Sequence, residues 1–559
     1  MTLNIITLFI FYKIILITVL GFGLLFERIF YRNISYDRLG YTGLAGIFFL
    51  ILYSYISHIF FPHGYMHNMI IIFIGLILFF FYFSKNKKKF NFSIFFINFL
   101  ILFLALLIFK THDDFPYYHF PYSYYLTQHS MQIGIGQFNH GFRTPSSIFY
   151  LNSLFYVPVI KYYSFYIPSL LIMGFSNLIL ISKILTDLKN KNINYSFYLA
   201  LLFFAFINIF FYRLQEHGTD RSAQILVFIF LLQLISLLNF KKNLNDNINY
   251  ILITLGIIIS LKAFYILYLI FLIPLLWIFY TQKKLNIVLE FFQNKLFYVF
   301  ILLFSLNILI YFLNTGCLIY PVFQTCFDNF DWSLGTAEAV KMNNHYQLWS
   351  KAGLTPNFRI DNPELYLKDF NWVINWFDLY FFNKVSDFLL GLIFLSLISL
   401  VIFYQKKKRI FKFDKKIFSI FFVIILLLLE WFTNHPALRY GGYVLIAFLI
   451  FFPVSLIMTK YYVNLKNLKK RLIIFLLIVT AVFISRNFNR LDNEIKQYKY
   501  KPIINTFYYV DESHFRIDKV MNKRIANFEN CENKINECDI KLKSKVKKVS
   551  KNRYIFIPS

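Results

Sequence analysis

At about 150 residues per domain, a chain of 559 residues has room for three or four soluble domains. Its composition excludes them: it is 58% hydrophobic and 15% charged with a mean hydropathy of +0.56, more apolar surface than a water-soluble fold can hide, and the disordered, collagenous and small disulfide-scaffold classes fall with it. The net charge of +29, from 57 Lys+Arg against 28 Asp+Glu, would suit nucleic acid only if the cations shared one face, and the abundance of Phe, Tyr, Ile, Asn and Lys is also what an AT-rich coding sequence produces.

Reading for runs of about 20 apolar residues gives about fourteen spans: 5–26, 41–61, 69–84, 92–110, 163–184, 197–212, 223–239, 250–262, 264–280, 296–313, 387–404, 417–433, 442–459 and 472–487. The first lacks a small-residue cleavage site and carries Lys13 in its middle, so it reads as an uncleaved anchor. The expected fold is an all-α polytopic integral membrane protein with long outer loops, an interfacial helix and a small outer C-terminal tail domain.

Lys and Arg in short loops mark the cytoplasmic side. Clusters at Lys85 to Lys89, Lys406 to Lys416 and Lys466 to Arg471, with weaker ones at Lys189/Lys191, Lys241/Lys242 and Lys283/Lys284, all fall on one side when the spans alternate. The N-terminus and the tail after residue 487 then lie outside, although that tail is itself basic. Three outer segments, 111–162, 314–386 and 488–559, are too long for simple turns.

The first of them opens Thr111-His112-Asp113-Asp114-Phe115-Pro116-Tyr117-Tyr118-His119. Adjacent carboxylates at a membrane surface repel each other, and partial desolvation suits one of them to act as a general base or a metal ligand; the plain alternative is a solvated turn capped by Asp113. Of His112, His119, His129 and His140, only His112 with Asp113 or Asp114 makes a compact pair of ligand types, so His112 and Asp113 are the candidate holders of a divalent cation, ranked below hydrogen-bonded loop histidines. Further on, Gly134, Gly136 and Gly141 precede Arg143 in a loop with no strand before it, which argues against a nucleotide-binding fingerprint, and 147–160 reads as a helix lying in the interface.

A second outer loop, Arg213-Leu214-Gln215-Glu216-His217-Gly218-Thr219-Asp220-Arg221, packs acids and arginines into a length that needs only turn formers. Asp220 and Arg221 lie close enough to the following span to face the bundle, where ionisable groups are expensive. Lys262 interrupts the run 250–280 and marks a tight turn or a buried charge. Arg439 sits in Asn434-His435-Pro436-Ala437-Leu438-Arg439-Tyr440. Singly each cation is a headgroup anchor; together Arg143, Arg221, Lys262 and Arg439, with His435, outline a site for an anionic head. The 314–386 loop holds Asp331-Trp332-Ser333 and His345-Tyr346-Gln347-Leu348-Trp349, aromatics that form an interfacial belt or stack on sugars. All four cysteines are in outer segments, so Cys317 with Cys326 and Cys531 with Cys538 are candidate disulfides; a continuous helix would hold the second pair about 10 Å apart and prevent it.

Counted from 92–110, acids after the first span, a second acid-rich loop and a large later outer loop resemble the GT-C class of polyprenyl-phosphate-dependent glycosyltransferases. Asp113-Asp114-Phe115-Pro116-Tyr117-Tyr118-His119, Phe142-Arg143-Thr144-Pro145-Ser146-Ser147, Thr315-Gly316-Cys317-Leu318-Ile319-Tyr320-Pro321 and Trp332-Ser333 look like phrases of a bacterial polytopic membrane family with that layout; the likeness covers roughly 92–460. It implies a GT-C-like module at 92–487 between N-terminal helices at 1–91 and a periplasmic tail at 488–559, in the bacterial inner membrane. It further implies transfer of a sugar from a polyprenyl-phosphate donor to an envelope glycan or lipid acceptor, among membrane lipids and without nucleic acid. Asp113 or Asp114 would be the base, Glu216 and Asp220 supporting acids, and Arg143, Arg221, Lys262, His435 and Arg439 substrate binders. A periplasmic glycan polymerase or ligase is the alternative. A lipid-linked substrate transporter is disfavoured because glycine is scarce and the ionisable residues gather at one face.

Overall fold

Hydrocarbon offers the backbone no water to bond, so a chain this apolar satisfies its amides within helices. The computed structural model describes residues 4–31, 38–86, 92–238, 244–281, 285–353, 360–406, 416–461, 464–506, 515, 519–533 and 539–558. Its helices in chain order are α1 (Ile5–Phe30), α2 (Leu39–Phe60), α3 (Tyr65–Asn86), α4 (Phe92–Leu106), α5 (Phe120–Gln128), α6 (Ser147–Leu154), α7 (Ile167–Lys189), α8 (Tyr195–Phe210), α9 (Asp220–Leu238), α10 (Leu244–Leu261), α11 (Leu272–Thr281) and α12 (Leu285–Gln293). They continue with α13 (Lys295–Thr315), α14 (Gly335–Lys351), α15 (Pro363–Leu367), α16 (Val373–Trp376), α17 (Ser386–Phe403), α18 (Ile417–Asn434), α19 (Gly442–Thr459), α20 (Leu465–Tyr498), α21 (Lys519–Asn533) and α22 (Ile540–Lys543). Among the described residues ten helices are long and apolar enough to cross a membrane, and three shorter ones share their composition. The protein is an all-α polytopic membrane protein whose one described sheet is a terminal hairpin of β1 (Val546–Ser550) and β2 (Arg553–Phe556).

Helices α7, α8 and α9 form the centre, buried on nearly every face, while α3, α13, α17 and α18 expose Phe, Ile and Leu around the perimeter. The first three helices belong to the same core. Tyr12 donates a hydrogen bond to the Phe99 carbonyl at 2.9 Å, and α2 packs on α7 and α10. Glycines let these backbones touch: a Cβ at Gly46 would lie 2.0 Å from the Val19 carbonyl oxygen, and one at Gly21 2.0 Å from that of Gly75.

Three expectations change in three dimensions. The helix expected in the interface exists as α6, but all eight of its residues are buried. Its polar groups find partners inside: Ser147 pairs with Ser260 at 2.9 Å, and the Ser153 carbonyl accepts from Asn68 at 2.8 Å. The expected span 472–487 lies within α20, whose 34 residues extend about 50 Å, longer than a hydrocarbon core of about 30 Å, and run unbroken into the expected tail as far as Tyr498. The tail does not stand apart as a domain. Ile133 donates to the Tyr554 carbonyl at 3.1 Å and accepts from Phe556 at 2.9 Å, while Phe515 stacks on Phe120 at 4.2 Å. The tail is thereby fastened to the 111–162 loop. Cys317 and Cys326 are disulfide-bonded; so is Cys531, and Cys538 lies outside the described residues.

Gly46→Ala places a methyl group against a main-chain oxygen that cannot rotate away, and is expected to destabilise the protein by about 1–3 kcal/mol, read as a lowered thermal midpoint in detergent.

Candidate active site

Four separate breaks in the helical pattern meet at one end of the bundle. Helix α4 ends at Leu106, and the Glu494 carboxylate of α20 accepts from the Phe109 and Lys110 amides just beyond it at 2.9 and 2.7 Å, giving these donors partners outside the helical ladder. A π-helical turn, Phe115–His119, follows with Asp114 at its start. Asp220 opens α9. Helix α10 stops at Leu261, and Lys262 adopts an extended conformation before a 3₁₀ segment, Ala263–Phe271, runs on into α11; Lys262 is thus the turn and a half-buried charge. Between α18 and α19 a short turn, Leu438–Tyr440, ends on Gly441 at φ 99°, where a side chain would be strained. That turn is clamped: Trp376 and Trp431 donate to the Pro436 and Ala437 carbonyls at 2.8 Å each, Leu438 donates to the Tyr380 hydroxyl at 2.9 Å, and Gln224 donates to the Arg439 carbonyl at 3.1 Å.

These breaks bring together Asp114, Asp220, Lys262 and Arg439. The Arg439 guanidinium joins the two acids, with Nε 3.0 Å from Asp220 Oδ2 and Nη2 3.0 Å from Asp114 Oδ2. Lys262 pairs with the other oxygen of Asp220, which also accepts from Thr219 Oγ1 at 3.0 Å, and Tyr118 donates to Asp114 at 3.3 Å. Lys262 and Arg439 both lie over the Tyr440 ring, 4.5 and 5.4 Å from its centroid. Two acids face two cations, so the network is balanced, as burial requires. Burial raises the Asp114 carboxyl, but the charge and hydrogen bond of Arg439 together with the flanking His112 and His119 hold it below its ordinary value. Burial keeps the neighbouring imidazoles neutral, with His112 lowered and His119 pushed down to about 3.

The ligand atoms of His112, Asp114 and His119 lie within 4.8 Å of one another, and His119 Nε2 is buried without a partner. This is the right kind of donor set for a divalent cation, though with Asp114 and His119 in place of Asp113. It does not fit one well: the Asp114 amide donates to His112 Nδ1 at 3.0 Å, and Arg439 already holds Asp114 Oδ2 at 3.0 Å. A metal there would sit against a guanidinium, so the positive charge of the site is that of Arg439 and Lys262.

The other expected site residues fall elsewhere. Asp113 is exposed and makes no hydrogen bond or ion pair among the described residues. Glu216 faces Arg490 at 2.6 Å, Arg213 at 3.4 Å and Arg221 at 4.0 Å, away from the network. Arg143 is held by Glu338 at 2.7 Å, the Gly136 carbonyl at 2.9 Å and the Tyr320 hydroxyl at 3.2 Å, which ties the first long loop to α14. His435 borders the network, its ring 5.9 Å from Tyr440, and burial with the nearby Lys351 and Lys262 pushes it down to about 4. Tyr118, Tyr440, Thr219 and Glu494 escape sequence reasoning. Tyr118 and Tyr440 look like members of an aromatic belt, and nothing local marks Glu494, 384 residues from Lys110.

Arg439→Gln leaves two carboxylates with one cation and is expected to cost about 2–3 kcal/mol; adding Asp114→Asn should return about 1 kcal/mol or more as a coupling energy in a double-mutant cycle of detergent melts.

No curated protein and no solved structure matches the chain. A family model described as a domain of unknown function, DUF8201, matches residues 5–446, from the start of α1 into α19. With all four residues of the ion network inside that match, and most of the chain with them, the protein belongs to the DUF8201 family.

Proposed function

We propose that the protein is a membrane glycosyltransferase of the GT-C kind, moving a sugar from a polyprenyl-phosphate donor to a cell-envelope acceptor at the periplasmic face of the bacterial inner membrane. The observation that carries this reading is the network of Asp114, Arg439, Asp220 and Lys262 at one end of an apolar bundle. Fourteen crossings, counting one within α20, would put the N-terminus, the tail and this network on the outer side.

On this reading the acceptor hydroxyl attacks the anomeric carbon, its proton passes to Asp114, and the bond to the phosphate oxygen breaks with its electron pair staying on the phosphate. Asp114 as it stands is a poor base, because Arg439 stabilises its ionised form. An arriving phosphate competes for the same guanidinium, and each N–H that turns to the phosphate leaves Asp114 more basic. Donor binding and base activation are thereby one movement of Arg439, while Asp220 and Lys262 keep that side chain aimed at the reacting atoms.

Asp114→Asn is expected to reduce transfer by about 100-fold or more, read as loss of a surface glycan in the host at unchanged protein level, whereas Asp113→Asn, at an exposed carboxylate outside the ion network, should leave it near wild type. An unaltered glycan profile in an Asp114→Asn/Asp220→Asn double variant would count decisively against glycosyl transfer.

A further inference from the structure

A second charged cluster lies beside the first and is unbalanced. Arg213 and Arg221 flank the turn before α9 and its first residue, and Arg486 and Arg490 come from the C-terminal half of α20. The guanidinium carbons of Arg213, Arg486 and Arg490 sit 5.6, 5.0 and 6.0 Å from the centroid of the Tyr212 ring. Among the described residues one carboxylate, Glu216, forms ion pairs with this group, at 2.6 Å from Arg490, 3.4 Å from Arg213 and 4.0 Å from Arg221. Of the neighbouring acids of α20, Asp492 pairs with Lys496, while Glu494, bonded to the Phe109 and Lys110 amides, also acts on Arg490 through its charge. Among the described residues, four guanidiniums against the charges of Glu216 and Glu494 leave two positive charges. Arg221 Nη1, moreover, is buried with no hydrogen-bond partner.

We infer that this cluster binds the phosphate of a lipid headgroup. Planar guanidiniums with free N–H groups match phosphate oxygens in geometry as well as charge, and a bound phosphate removes the mutual repulsion that the cluster otherwise carries. The neutral network around Asp220 has no such surplus. The ligand is a lipid because α20 is a perimeter helix that exposes Leu477, Ile484 and Phe488, so the arginines stand where an apolar surface ends. Two of the four arginines lie beyond residue 446, outside the family match, so the site is assembled from the family region and an addition to it. Asp220 and Arg221 are consecutive on α9 and project about 100° apart, which sets the lipid phosphate next to the acid network without sharing its side chains.

The test uses the full-length protein in a neutral detergent, with dioctanoyl phosphatidate and inorganic phosphate as probes and binding followed by calorimetry. Arg213→Gln/Arg486→Gln removes two exposed cations and leaves the Arg490 to Glu216 pair intact. Phosphatidate should bind the wild type about 10-fold or more tighter than inorganic phosphate, and the double variant should lose about 10-fold or more. Arg486→Gln alone, whose described hydrogen bond is to the Ile209 carbonyl, should lose about 3-fold, and Lys469→Gln/Lys470→Gln at the other end of α20 should change it less than about 2-fold. Equal phosphatidate affinity in the wild type and Arg213→Gln/Arg486→Gln overturns the site; inorganic phosphate binding as tightly as phosphatidate overturns its assignment to a lipid.

Discussion

A carboxylate buried at the first turn of a helix, at one end of an apolar bundle, has to be neutralised by the protein itself. Asp220 is that group, 5% exposed, and the surrounding architecture answers it. Helix α10 breaks where Lys262 must turn back to reach it. The turn between α18 and α19 is clamped by two tryptophans and a glutamine so that Arg439 arrives from the other side. Arg439 in turn reaches Asp114, and this links the 111–162 loop to the bundle by a charged bond as well as by packing.

The end of the bundle that carries these charges is also the end reinforced by the segments beyond the family match. Glu494 and Arg490 of α20 take hold of the two acid-bearing loops, one through main-chain amides and the other through Glu216. The terminal hairpin and Phe515 bind the 111–162 loop from its far side. A loop of that length would otherwise sample many conformations, and fixing it from three directions is what keeps Asp114 in register with Arg439.

Much of the architecture is legible in the sequence because hydrocarbon imposes it: a run of apolar residues long enough to span has no alternative to a helix, and charged residues have no place but the ends. That logic places most of the helices and draws attention to Lys262 as an interruption. It misplaces α6 because a short helix carrying Ser and Asn resembles an interfacial one. Its burial depends on Ser260 and Asn68, which are remote in the chain. Glycine scarcity likewise hides the fact that the few glycines of α1 to α3 are where these helices touch.

The site divides along the same line. Composition and the breaks between spans determine which acids and cations lie near the membrane surface, and they single out Asp113, Asp114, Glu216, Asp220, Arg143, Arg221, Lys262, His435 and Arg439 as one undivided set. Only the tertiary structure separates them. It pairs Asp114 and Asp220 with Arg439 and Lys262, hands Arg143 to Glu338, leaves Asp113 in solvent, and gathers Arg221, Arg213 and Arg490 around Glu216 with Arg486 over the adjoining Tyr212 ring. The reason is one of range: hydropathy acts on each segment by itself, so it can be read along the chain, whereas an ion pair needs a few ångströms between side chains hundreds of residues apart, and only the packing of the helices decides which of them meet.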